Sequence, residues 1–221
     1  MLRGLICTAV VFTAMAAYAN AQEQQWEVGA IGGFGYSPNL TVSNGTTSAS
    51  TGVKTGIAIG AYAGQDMYRY WSGEATYLYR AGDLKLDGSG KSATFGAHTH
   101  LITGDILAHL RPRGAKIRPF LSFGGGIEIM EGTGAESATQ PLGNLAALTH
   151  TSEVLPVGEA GVGVKIQVAE HVRLRVQVRD YFSKAPNEVI APAPGASLSG
   201  VRQDVIGSVS VAYSWYKITG N

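Results

Sequence analysis

The sequence predicts an all-β chain, a closed antiparallel eight-stranded transmembrane β-barrel. Three observations predict it. Apolar and polar residues alternate with period two along about eight segments, the pattern of strands with two unlike faces. The connections alternate between tight turns and long stretches rich in Gly, Ser, Thr, Ala and Pro, as in membrane barrels with short periplasmic turns. Aromatic residues bracket the apolar faces, where a bilayer has its two interfaces. Composition agrees: 30 glycines and 10 tyrosines in 221 residues of which only 15% are charged read as β-rich rather than helical or disordered. Although 45% of the residues are hydrophobic, no segment past the N-terminus has the long apolar run of a spanning helix.

The first 21 residues stand apart from the barrel. Met1-Leu2-Arg3 is a short basic start, the apolar run 5–17 follows, and Ala19-Asn20-Ala21 is a small-x-small cleavage signal. Residues 1–21 are therefore expected to be a signal peptide and 22–221 an exported barrel domain beginning at Gln22. The apolar run is shorter than the roughly 20 residues of a membrane anchor. The single cysteine, Cys7, falls inside this segment, leaving no thiol, disulfide framework or cysteine metal site in the mature chain. Cleavage removes Arg3 and no acid, so 16 basic residues face 16 acidic ones, and nothing suggests a nucleic-acid partner.

The expected strands run 25–37, 53–64, 68–86, 91–110, 117–131, 151–168, 171–183 and 203–216. In the first, Trp26, Val28, Ala30, Gly32 and Phe34 oppose Glu27, Gly29, Ile31 and Gly33. In the third, Trp71, Ala75, Tyr77 and Tyr79 oppose Ser72, Glu74, Thr76 and Arg80. In the seventh, Val172, Leu174, Val176 and Val178 oppose His171, Arg173, Arg175, Gln177 and Arg179. In the last, Val205, Gly207, Val209, Val211, Tyr213 and Trp215 oppose Asp204, Ser208, Ser210, Ala212 and Ser214, which share their face with Ile206. Long loops are expected at 38–52, 132–150 and 184–202, a shorter one at 87–90, and tight turns at 65–66, 111–116 and 169–170. Pro156 inside the sixth strand lacks an amide donor, so that strand is expected to start later or to bulge.

Periodicity cannot say which face points outward, but two features choose. Trp26, Tyr70, Trp71, Tyr77, Tyr79, Tyr181, Tyr213 and Trp215 suit aromatic girdles on an apolar exterior. The polar faces carry balanced charge, Glu27, Glu74, Glu128 and Glu159 against Arg80, Lys165, Arg173, Arg175 and Arg179, which in a narrow barrel must pair inside the lumen. Because an open sheet edge cannot survive in hydrocarbon, the sheet must close.

The segment Lys116-Ile117-Arg118-Pro119-Phe120-Leu121-Ser122-Phe123-Gly124-Gly125-Gly126-Ile127 is similar to the turn, aromatic and glycine-rich strand of bacterial outer-membrane barrel domains. Nearly the whole mature chain resembles the small barrels typified by the membrane domain of outer membrane protein A. The resemblance implies the outer membrane of a bacterium with two membranes, contact with outer-membrane lipid and lipopolysaccharide, delivery by periplasmic chaperones and the barrel-assembly machinery, and a monomer. The chain departs from the pattern in ending Tyr216-Lys217-Ile218-Thr219-Gly220-Asn221 rather than on an aromatic residue. No periplasmic domain is expected after the barrel, so peptidoglycan anchoring is not expected to carry over.

The residues point to no enzyme, cofactor or metal. His98 and His100, two apart on a strand, are expected to be lumen groups paired with Glu74 or Glu128; Asp105 would approach them only across a bulge near Thr103-Gly104. Lipid A deacylases use a His with a nearby Ser and Glu, but no serine stands two positions after either histidine. Gly124-Gly125-Gly126 has no following Lys-Ser/Thr of a phosphate loop. Two main functions remain: a structural or surface-interaction role through the long loops with the lumen filled by charge, or a narrow porin-like channel through the basic ladder. A lipid A-modifying hydrolase is the weaker alternative.

Overall fold

The computed structural model describes residues 24–136 and 140–217, so the expected signal peptide at 1–21 lies outside the described residues. Eight long strands form the barrel: β1 Gln24–Tyr36, β4 Gly56–Asp66, β5 Trp71–Ala81, β8 Ala97–His109, β9 Ile117–Gly132, β11 Ser152–Gln167, β12 Val172–Lys184 and β15 Val201–Lys217. Seven shorter strands lie between them: β2 Leu40–Ser43, β3 Ser48–Val53, β6 Leu84–Gly88, β7 Lys91–Phe95, β10 Ala146–Leu148, β13 Ile190–Pro192 and β14 Ser197–Ser199.

Each barrel strand pairs antiparallel with the next along the chain, and β1 pairs with β15 to close the ring. The closing register runs from Gln24 opposite Lys217 to Tyr36 opposite Val205. Strands of 11 to 17 residues meet or exceed the roughly 9–11 that a tilted strand needs to cross hydrocarbon. Alternation puts Val28, Ile59, Ile106, Phe123, Val162, Val178 and Val211 on the exposed outer face. Between them, Glu27, Glu74, Asp105 and Arg179 are buried inside. Such a face, apolar outside and charged inside, is stable only if lipid rather than water surrounds it. The three short connections, 67–70, 110–116 and 168–171, lie at one rim with the first strand's start, and by the short-turn rule this rim is periplasmic.

The long connections differ from the expected open loops. The predicted strand 68–86 is two, β5 and β6, and 91–110 is likewise β7 and β8. The expected loop 87–90 is a two-residue hairpin, with Ser89 and Gly90 both at positive φ, the conformation that matches strand twist. Strands β14, β2, β3, β6 and β7 build a five-stranded sheet, and β10 pairs with β13. All four long connections supply one apolar core: Val42, Val53, Leu84, Leu86, Phe95, Leu142, Leu145, Leu148, Val189 and Ile190 pack with Met130 from the barrel rim. The extracellular end thus carries a folded cap.

Pro156 neither ends nor bulges its strand. It lies opposite Ile127 of β9, one position before pairing with β12 begins at Val157, so the strand continues through it with its ring on the exposed face.

Candidate functional site

The lumen is the one region where the fold concentrates charge against burial cost, and its contents follow from strand parity. Among the described residues, seven bases (Arg80, Arg118, Lys165, Arg173, Arg175, Arg179, Arg202) and seven acids (Glu27, Asp66, Glu74, Asp105, Glu128, Glu159, Asp204) are buried. Their formal charges cancel. A buried charge is tolerable only when paired and hydrogen-bonded, and these form three groups along the barrel.

At the periplasmic end Glu27 pairs with Lys165 and, at 3.1 Å, with Arg173. Arg173 also donates to Gln25 at 2.5 Å, and Arg118 pairs with Asp66 at 2.7 Å. In the middle, Glu74 receives Arg175 at 2.6 Å and Arg179 on its other oxygen. Arg179 also pairs with Asp105 at 2.7 Å and lies 3.5 Å from Glu159; Ser122 donates to Glu159 at 2.7 Å. The Arg175 guanidinium stacks 3.6 Å from the centre of the Tyr62 ring, a cation–π contact strengthened by desolvation. At the extracellular end Arg80 pairs with Asp204 at 3.0 Å and donates to the Gly35 and Lys54 carbonyls, while Arg202 bridges Asp204 and Glu128.

Between the middle and extracellular groups the lumen turns apolar. Ile31, Ala58, Leu78, Leu101, Val157, Tyr181 and Ile206 form one buried cluster contributed by seven of the eight strands. Glycine makes the space for the charged layer beneath: a Cβ on Gly124 would collide with the Asp105 carboxylate, and one on Gly126 with the Ile102 carbonyl.

All nine charges predicted for the lumen lie buried there. Asp66, Asp105, Arg118, Arg202 and Asp204 join them; they too alternate with outward neighbours, and Arg202 lies just outside the expected strand 203–216 because β15 begins at Val201. Two expectations are corrected. Tyr181 shares the parity of Arg179 and points inward, buried, while Phe182 takes the exposed position. Of the other expected girdle residues, Trp26, Tyr70, Trp71, Tyr77, Tyr213 and Trp215 are exposed and Tyr79 is half-buried on the outer face. The second correction concerns His98 and His100, which are not lumen groups. On β8 it is Thr99, Leu101, Thr103 and Asp105 that are buried, so the histidines face out. His98 Nε2 lies 3.2 Å from Glu131 and His100 Nδ1 lies 2.9 Å from the Tyr77 hydroxyl, neither near Glu74 or Glu128. No bulge brings Asp105 to them, because β8 pairs without interruption.

A Ser, His, Asp grouping does occur inside the barrel. Ser72 Oγ donates to Asp66 and lies 2.7 Å from His109 Nε2. Asp66 also approaches His109 from the Nε2 side, at 3.9 Å. A nucleophile relay needs the carboxylate on the opposite ring nitrogen, where it holds the tautomer that accepts the serine proton. Here the serine proton goes to the acid, and Arg118 and Arg173 flank that acid, so the group acts as one more polar tie.

Comparisons with known proteins agree with this architecture. The family model for the outer membrane protein beta-barrel domain matches residues 5–199. Among solved structures, Neisserial surface protein A superposes with a TM-score of 0.53 at 11% identity, covering 85% of this chain and 96% of that one. The outer membrane protein OprG from Pseudomonas aeruginosa gives 0.52 at 9% identity, covering 87% and 96%. At such identities the likeness shows the fold alone. No curated protein matches the sequence. The match across most of its length, with the closed eight-stranded ring and its apolar exterior, makes the chain a member of the outer membrane protein beta-barrel domain family, resident in the bacterial outer membrane.

Proposed function

We propose that this barrel is a sealed anchor that displays its extracellular cap as a surface-interaction module. The observation that carries the reading is the shared apolar core of the four long connections. Connections that merely joined strands would need no core, and ordering them costs conformational entropy that burial of Leu84, Leu86, Leu145 and Val189 offsets. Binding residues are commonly carried on loops held by a rigid scaffold.

The narrow-channel reading needs a continuous polar path, against which the ion-paired layers and the apolar cluster around Leu78, Leu101 and Ile206 weigh. An eight-stranded barrel has an interior that side chains fill. A lipid A hydrolase is not favoured by any grouping near the outward histidines. Exposed apolar residues occur on all eight barrel strands, which supports lipid and lipopolysaccharide rather than a partner subunit as their cover, hence a monomer delivered by periplasmic chaperones and the assembly machinery.

The test compares cells carrying the intact chain with cells carrying a chain whose segments 38–52, 133–150 and 185–200 are replaced by tight turns, at matched outer-membrane levels. Adhesion to surfaces and to neighbouring cells should follow the intact cap and be lost with it. Equal adhesion by cells with the intact chain, the trimmed chain or none would overturn the reading.

A further inference from the structure

We propose that His98, His100 and Glu131 form a transition-metal site of the zinc class on the outer wall of the barrel, at its extracellular rim. The proposal is independent of the role given to the cap. One ring nitrogen from each histidine and a carboxylate oxygen of Glu131 lie within 4.8 Å of one another. The register that creates this group is rigid: His98 and His100 stand two apart on one face of β8, and Glu131 of β9 lies directly opposite His98. His98 Nε2 and Glu131 Oε2 are already 3.2 Å apart. Bonds of about 2.0–2.2 Å to one tetrahedral ion place neighbouring ligands roughly 3.3–3.6 Å apart, a spacing that the His98–Glu131 pair already nearly has and that His100 approaches within 4.8 Å.

The surroundings suit the same chemistry. The Tyr77 hydroxyl, 2.9 Å from His100 Nδ1, can fix that ring, as outer-shell groups do around metal-binding imidazoles. The Tyr79 ring lies 5.4 Å from each imidazole and walls one side. All three ligand residues are half-buried, which spares them full hydration yet leaves an approach from outside. Three protein ligands leave a fourth position for water.

The donor set selects the metal. Calcium and magnesium take oxygen ligands, whereas imidazole suits zinc, copper and nickel. A plain ion pair between His98 and Glu131 would account for two of the residues but not for the convergence of His100 on them.

The test is isothermal titration of zinc into the full chain, refolded in micelles without an affinity tag and checked by its heat-modifiable gel shift. One zinc ion should bind per chain, about tenfold or more weakly after His98→Ala or His100→Ala and more weakly after Glu131→Gln. His171→Ala, which alters a half-buried histidine beside Glu170, should bind as the parent does, and excess calcium should not displace the zinc. Absence of zinc uptake by the folded chain, uptake that the His98 and His100 variants retain, or displacement by calcium would overturn the proposal.

Discussion

Glu74 is the residue on which the lumen turns, because Arg175 and Arg179 both depend on its carboxylate. Removing one partner of a buried ion pair leaves the others desolvated and uncompensated. Glu74→Ala should therefore destabilise the barrel by about 3–5 kcal/mol, read as a lower urea midpoint for unfolding from lipid bilayers, with Glu74→Gln in between. An unchanged midpoint would mean that water already solvates the middle cluster. At this scale much was legible in the sequence. Arg173, Arg175 and Arg179 alternate with apolar neighbours, and a face carrying so much charge has to be turned from lipid. The same parity turns Tyr181 inward, although an aromatic residue near a strand end otherwise suits the membrane interface. The histidines run against the pattern for a physical reason: at the extracellular end of β8 Leu101 points inward and His98 and His100 point outward, so local polarity reverses near the rim and alternation alone chooses the wrong face.

Among the elements, the cap separates what pattern reveals from what it hides. Leu84 and Leu86 alternate like strand residues, and so they extended the predicted third strand instead of marking a new one. Leu142, Leu145, Val189 and Ile190 sit among Gly, Ser, Pro and Ala, in segments whose composition reads as loop. No single connection is apolar enough to fold alone; a core appears only when the barrel brings four together, which is tertiary information. Pro156 shows the converse, a local signal for disruption that the ring absorbs because pairing with β9 continues across it. If the cap is a cooperative unit, Leu86→Lys, which puts a charge at a fully buried core position, should open the cap to protease cleavage while the barrel keeps its heat-modifiable shift. Limited proteolysis followed by mass mapping of the cut sites distinguishes this from a cap that resists cleavage unchanged.

For the whole molecule, the fold answers two solvents at once. Lipid requires every backbone amide to be paired, which the closed ring provides, and it accepts the aliphatic and aromatic exterior. The interior accepts seven bases and seven acids because they neutralise one another in three layers, with an apolar cluster between the upper two. On the proposed reading, these layers and the cap close the barrel while it holds a folded surface outside the membrane. Whether the lumen is sealed is read by single-channel recording of the refolded chain in a planar bilayer. A sealed lumen leaves the bilayer silent with correctly folded protein inserted; reproducible conductance steps whose ion selectivity changes on Arg173→Ala or Arg175→Ala would mean an open path through the barrel.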